Sequence, residues 1–194
     1  MLLALLFACS PVALLPPISG DPGNVGQLGA GLTYDLGAEP GGELTHSGDA
    51  QFWYLRRLGK VLSLGTAAAM GPSMKVGTGF FGMSLGALGR FHIVDAKRFR
   101  LGTDVRAGLL HGSVALPLAV GLSDGFWLYT GPSLELAGTQ VLRVPLGVDA
   151  RVAAGWWLTA EGQWHYTNPS ADYLADRDTT GAAISATAAI SYRY

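Results

Sequence analysis

The chain holds one cysteine, Cys9, in 194 residues, which excludes a disulfide framework and any cysteine-based metal cluster. Charge is scarce as well. Only 14% of the residues are charged and the formal net charge is -1, so the basic excess that a nucleic-acid partner demands is missing. Four scattered histidines with no cysteine partner argue against a structural metal site. No glycine-rich phosphate loop stands between a strand and a helix, so no cofactor is expected. Long hydrophobic runs are also lacking. Beyond the N-terminus the longest is Val114 to Val120, itself broken by Pro117, against the ~20 residues a membrane-spanning helix requires. A helical membrane bundle is therefore excluded.

What is present is alternation. Hydrophobic residues make up 49% of the chain and glycine occupies 28 positions, which suits apolar strands with many tight turns and close approaches. Residues 181 to 194 alternate in strict period two: Ala182, Ile184, Ala186, Ala188, Ile190, Tyr192 and Tyr194 form an apolar face. Ala183, Ser185, Thr187, Ala189, Ser191 and Arg193 form the small or polar one. A strand this long is an edge liability unless both edges are paired, and closing a barrel pairs them.

The same pattern recurs along the chain. The first strand begins at Val25, with Leu28, Leu32 and Leu36 opposite Gln27, Thr33 and Asp35. Ala38 to Asp49 reads as a loop, Phe52 to Leu58 as a short second strand, and Gly59-Lys60 as the turn into a third over Val61 to Met70. Gly71 to Gly77 is expected to be a loop. Thr78 to Phe91 alternates again, as does Arg98 to Leu110, where Phe99, Leu101 and Val105 oppose Arg100, Asp104 and Arg106. Further strands run from Val114 to Leu122, Phe126 to Ala137, Leu142 to Val152 and Leu158 to Thr167, the first two joined by the tight-turn signature Ser123-Asp124-Gly125. Asn168 to Thr180 is a polar loop before the last strand.

This gives an all-β chain: a closed antiparallel up-and-down transmembrane β-barrel of ten strands, with eight as the alternative count. The long connections all fall on one side of such a barrel and the short turns on the other. Aromatic residues sort into two girdles. Phe91, Phe99, Trp127, Trp156, Trp157, Tyr192 and Tyr194 lie toward the short turns, and Tyr34, Phe52, Trp53, Phe80, Phe81, Trp164 and Tyr166 toward the long loops. About ten residues at ~3.3 Å each, tilted by ~40°, separate them by roughly 25 Å, the height of an outer-membrane apolar band.

The final strand, ending on Tyr194, resembles the last strand of bacterial outer-membrane β-barrels, which alternates and finishes on an aromatic that the assembly machinery reads. The resemblance implies a Gram-negative outer-membrane location, with lipid, lipopolysaccharide and the barrel-assembly machinery as partners. It implies no activity. Residues 1 to 20 read as an export signal ahead of a barrel over 21 to 194, with Leu2 to Ala8 as the apolar core. Leu6-Phe7-Ala8-Cys9 resembles a lipobox, in which Cys9 would be lipidated. The alternative is ordinary cleavage near Gly20.

Parity predicts the inward charges. Asp35, Arg90, Arg100, Asp104, Arg106, Glu135, Arg143, Asp149, Arg151, Glu161, His165 and Arg193 share the inner face, five carboxylates against six arginines. Such near balance in a narrow lumen points to an ion-pair network that fills it; a charged constriction selecting small solutes is the functional alternative. His165-Tyr166-Thr167-Asn168 resembles the His-x-Ser-Asn segment of the lipid A deacylases, with His165 and Thr167 as the implied catalytic candidates. Thr167 stands where the family has its serine, and no Glu follows it. The integral barrel with a structural, surface-interaction or passive-permeation role is the leading expectation, with the esterase and a soluble lipocalin-like binding barrel as alternatives.

Overall fold

The computed structural model describes residues 18, 25–38, 44–75, 78–108, 112–136, 140–168 and 181–194, with backbone alone at 37–38, 44–47, 72–75, 78–83, 136, 167–168 and 181–182. They form one antiparallel sheet closed into a barrel. Its strands are β1 (Gly26–Ala38), β2 (Leu44–Arg57), β3 (Leu62–Lys75), β4 (Thr78–Asp95) and β5 (Phe99–Gly108). β6 comprises Gly112–Ala115 and Leu118–Ser123, and β7 comprises Phe126–Thr130 and Ser133–Leu136. β8 (Gln140–Ala153), β9 (Trp156–Asn168) and β10 (Gly181–Arg193) complete the ring. Each strand pairs with its sequence neighbour, and β10 pairs with β1 from Gln27↔Arg193 to Gly37↔Ala183. Closure leaves no free edge along this seam, so its backbone donors and acceptors find partners inside the sheet.

The interruptions in β6 and β7 have a local cause. Leu116-Pro117 and Gly131-Pro132 face one another between the registers Ala115↔Ser133 and Leu118↔Thr130. Proline has no N–H to give the ladder, and two prolines side by side suspend it for two residues. The gap is bridged by Leu116 N–H donating to the Pro132 carbonyl at 3.0 Å and Gly102 N–H donating to the Pro117 carbonyl at 2.9 Å. Each pair of halves is thus one strand of the wall, the count is ten, and the eight-strand alternative is set aside.

Two loop boundaries differ from the sequence expectation. β2 starts at Leu44 rather than within Phe52 to Leu58, pairing Leu44 with Ala38 and Ser47 with Asp35. β3 and β4 likewise run through most of Gly71 to Gly77, with Pro72 opposite Phe81 and Lys75 opposite Thr78. In both places the segment is polar or glycine-rich and shows no apolar alternation. Pairing with a neighbouring strand extends the ladder without a greasy face, because cross-strand hydrogen bonding needs no particular side chain. The short turns match the sequence. Gly155 has φ of +76° in the turn between β8 and β9, a left-handed conformation that favours glycine. Asn168, expected to open a loop, closes β9 instead, while residues 169–180, the turn around His111, and Cys9 with the rest of the expected export segment except Ile18 lie outside the described residues.

Side-chain direction follows the pleat. Leu32 is 69% exposed, Leu85 62% and Leu146 72%, and they stand among Leu28, Leu64, Val105, Leu128, Leu134, Val144, Leu158, Ile184 and Ile190 on the outer wall. A continuous apolar exterior of this size is a poor surface in water and a matched one in lipid. A soluble lipocalin-like barrel needs the opposite arrangement, with its apolar residues turned inward around a ligand.

Candidate functional site

Among the described residues the interior is where charged and polar side chains gather, so the candidate site is the lumen. Bulk comes first. Trp53, Trp127, Tyr129 and Trp157 all point inward and are 6% exposed or less. This corrects the expectation that Trp53, Trp127 and Trp157 belong to the membrane-interface girdles. The physical reason is parity combined with small neighbours. Trp53 pairs across to Gly29 and Ala67, and a Cβ at Gly29 would collide with the Trp53 ring. Tyr129 sits over Gly147 in the same way, and Trp127 over Gly121, where a Cβ would be 3.1 Å from the indole. Inward glycines clear the floor for inward rings. Ala67, Ala69 and Ala189 close around Trp53.

Around these rings the charges are paired. Arg90 on β4 and Asp104 on β5 are cross-strand partners and form a two-pronged pair, Nε to Oδ1 and Nη2 to Oδ2 both at 2.7 Å. Their side chains are 2% and 1% exposed. Arg193 donates to Asp149 Oδ2 at 2.5 Å while Thr159 donates to Oδ1 at 2.8 Å. The Arg193 guanidinium also lies 4.3 Å from the Trp157 ring centroid. Arg143 meets Glu135 at 3.1 Å. Arg100 meets Asp95 at 3.0 Å and stacks 5.1 Å from the Trp127 centroid. Neutral groups complete the lining: Thr33 bonds Thr187 at 2.8 Å, Gln51 donates to Thr33 at 2.5 Å, and Gln163 donates to Glu161.

Other predicted residues fall as follows. Arg106 is buried, and Asp35 is partly exposed toward the long-loop end, cross-strand from Ser47 and Ser185. Arg151 has inward parity but is exposed at the short-turn rim, with its guanidinium 5.8 Å from the Trp157 centroid. It belongs to the mouth rather than to the interior network, since the wall ends two residues later at Ala153. His165 points inward and its Nε2 lies 2.9 Å from Ser185 Oγ. Thr167 pairs through its backbone with Val141 and Gly181, and its side chain lies outside those described. Trp164 and Tyr166 face outward at 43% and 41% exposure, so His165 is separated from the lipid side by the barrel wall.

The outward aromatics do form two bands. Trp156, Tyr192 and Tyr194 cluster near the short turns, with Trp156 and Tyr192 centroids 5.1 Å apart and Tyr192 and Tyr194 6.3 Å apart. Phe91 and Phe99 are exposed at the same end. Tyr34 and the stacked pair Trp164 and Tyr166, 6.1 Å apart, stand toward the long loops. Phe80 and Phe81 have side chains outside those described. Sequence reasoning missed Asp49, Gln51 and Asp95 as lining or pairing groups. Asp49 was hidden because its segment reads as a loop, and Asp95 because it sits at the last residue of β4, beyond the bulge between His92 and Val94.

No family model matches the chain, and no curated protein matches it. Solved structures do. The translocator domain of the autotransporter NalP from Neisseria meningitidis aligns over 90% of this chain and 90% of its own, at 14% identity and a TM-score of 0.53. An outer membrane channel from Pseudomonas putida F1 aligns over 93% of this chain and all of its own (100%), at 12% identity and a TM-score of 0.51. Neisserial surface protein A aligns over 87% and 97%, at 13% identity and a TM-score of 0.46. Identities this low speak to the fold alone: the chain has the fold of the outer-membrane β-barrels.

Proposed function

We propose that this protein resides in the outer membrane of a Gram-negative bacterium as a closed, non-conducting barrel, a structural scaffold that holds its long connections at the cell surface for interaction. The observation that carries the reading is the filled lumen. Trp53, Trp157, Arg90, Leu88, Gln51, Asp104 and Asp149 are each at or below 2% exposure inside a ten-stranded wall. A permeation path needs a continuous wet lumen with charges facing water. Here the arginines face carboxylates and indole rings instead. What such a barrel offers the outside is a rigid rim, and connections held on a rigid scaffold are where binding surfaces concentrate. Lipid and lipopolysaccharide around the apolar wall, and the assembly machinery during insertion, are the partners this reading requires.

The test is direct. Protein purified from outer membranes should migrate as a compact band unboiled and as an extended one after boiling, with a strand-rich circular dichroism spectrum, and should give no single-channel steps in a planar bilayer. Reproducible steps of ohmic conductance from the folded band would refute the closed lumen. Recovery in the soluble fraction without detergent would refute the membrane reading itself.

A further inference from the structure

The pleat splits Arg56 from Arg57 at the end of β2. Arg57 turns inward and meets Asp95 at 2.6 Å, whereas Arg56 turns outward and is exposed. Among the described side chains of the ten strands, Arg56 is the one charge with outward parity, and it has no ion pair among the described residues. Its neighbours on that face carry hydroxyls. Arg56 pairs across to Gly26, and Gly26 exchanges two backbone hydrogen bonds with Tyr194, each at 3.1 Å. A Cβ at Gly26 would stand 2.8 Å from the Tyr194 hydroxyl and 2.9 Å from its Cζ, so the glycine is what lets this ring lie across β1. There the Tyr194 O–H donates to the Tyr54 hydroxyl oxygen at 3.4 Å. Tyr54 shares the outward face with Arg56, about 7 Å away along the strand, and keeps its own hydroxyl hydrogen to donate.

A guanidinium beside donor hydroxyls is a recognition set for phosphate oxygens. The depth suits one source of phosphate. Tyr194 continues through Tyr192 to Trp156 as the aromatic band of the short-turn end, and such bands sit at the level of the lipid headgroups. Leu28, beside Tyr54, and Phe52, two residues further into the wall, are exposed where acyl chains lie. A lone cation on an otherwise apolar wall is costly at mid-membrane and cheap at the interface, where the complementary charge is the lipid phosphodiester. We propose that Arg56, Tyr54 and Tyr194 form a binding site for the phosphodiester of a membrane phospholipid in the leaflet at the short-turn end, with its acyl chains over Leu28 and Phe52. The site rests on the membrane reading above and adds a ligand to it. It spans the closing seam, since its three side chains come from β2 and β10 and meet over β1.

The experiment is native mass spectrometry of the detergent-purified protein titrated with phosphatidylglycerol, on samples already checked for heat-modifiable migration. One tightly retained lipid per barrel is expected. Arg56→Gln should raise its dissociation constant about tenfold, the loss of a charge-assisted hydrogen bond, and Tyr54→Phe, which keeps the ring, about threefold. Lys97→Gln removes an exposed cation at the same end of the barrel and should leave the constant unchanged. Dioleoylglycerol, with acyl chains and no phosphate, should bind about tenfold more weakly, and inorganic phosphate at the same concentration should not displace the lipid. Wild-type retention in Arg56→Gln, equal losses in Arg56→Gln and Lys97→Gln, or equal binding of dioleoylglycerol in a heat-modifiable sample overturns the site while leaving the barrel standing. Displacement by inorganic phosphate overturns the lipid as its occupant. Recovery of the protein without detergent refutes the membrane reading and the site with it.

Discussion

Replacing Asp104 by alanine is the sharpest perturbation the lumen offers. Arg90 and Asp104 share two charge-assisted hydrogen bonds at 2.7 Å, and neither side chain is more than 2% exposed. Truncating the aspartate removes both acceptors and leaves the guanidinium in an interior from which water is excluded. Desolvation of a guanidinium that has lost its carboxylate dominates, and the cost for breaking a buried pair is ~3–5 kcal/mol, or roughly two to four orders of magnitude in the folded-to-unfolded ratio. The assay is urea unfolding of the barrel in phospholipid vesicles, followed by tryptophan fluorescence and by the heat-modifiable band. A second variant separates charge burial from lost packing. Replacing both partners with apolar residues, Arg90→Met with Asp104→Leu, removes the charge and the desolvation together, and is expected to be near neutral or stabilising. The reasoning fails if Asp104→Ala costs under about 1 kcal/mol, the range of an exposed pair, or if the double variant is as damaged as the single one.

Leu146 is 72% exposed midway along β8, and Leu146→Arg should destabilise the inserted barrel by ~2–4 kcal/mol in vesicles if that face meets lipid; the same change on a water-exposed wall would fall within ~0.5 kcal/mol. Gly147→Ala places a Cβ in the ring of Tyr129 and should cost ~1–3 kcal/mol through overpacking. Adding Tyr129→Ala should relieve that collision, which a double-mutant cycle in urea would read as strong coupling. Trp53→Ala empties the centre of the cluster with Ala67, Ala69 and Ala189; a loss of ~3–5 kcal/mol is expected in the same assay, and unchanged stability would mean that the lumen is not packed around this ring.

Period two carried most of the fold into the sequence. Once a strand is known to alternate, every second residue is assigned to one face, which is how Arg90, Asp104, Asp149 and Arg193 could be placed on the inner side without coordinates. Where alternation was absent, the wall went unread. Asp49 and Gln51 line the lumen on β2, but the residues before Phe52 lack an apolar outer face, and hydrogen bonding to β1 holds them in the sheet instead. The tryptophans show a different conflict. Trp127 and Trp157 have inward parity, shared with Tyr129 and Thr159, yet their nearness to strand ends suggests an interface girdle. Parity wins because it is fixed by backbone geometry, whereas aromatic enrichment at strand ends is only a preference.

For Trp127 a glycine could have settled that conflict. Three of the four inward rings are matched by a missing side chain on the next strand: Gly29, Gly121 and Gly147 stand at the registers of Trp53, Trp127 and Tyr129, while Trp157 lies between Arg151 and Ser191. Glycine is costly in a strand unless another group approaches the backbone closely there, so an inward glycine one strand away from an inward aromatic is a sequence signal of ring over backbone. The same rule explains why this barrel can hold indoles and ion pairs together. The rings take the space of deleted Cβ atoms, and Trp127 and Trp157 present their faces to Arg100 and Arg193, 5.1 Å and 4.3 Å from the guanidinium carbons. Each arginine is thereby held between a carboxylate and a π face, which stabilises its charge where water is excluded. In a lumen stabilised in this way, any opening wide enough for a solute would uncover both the rings and the paired charges.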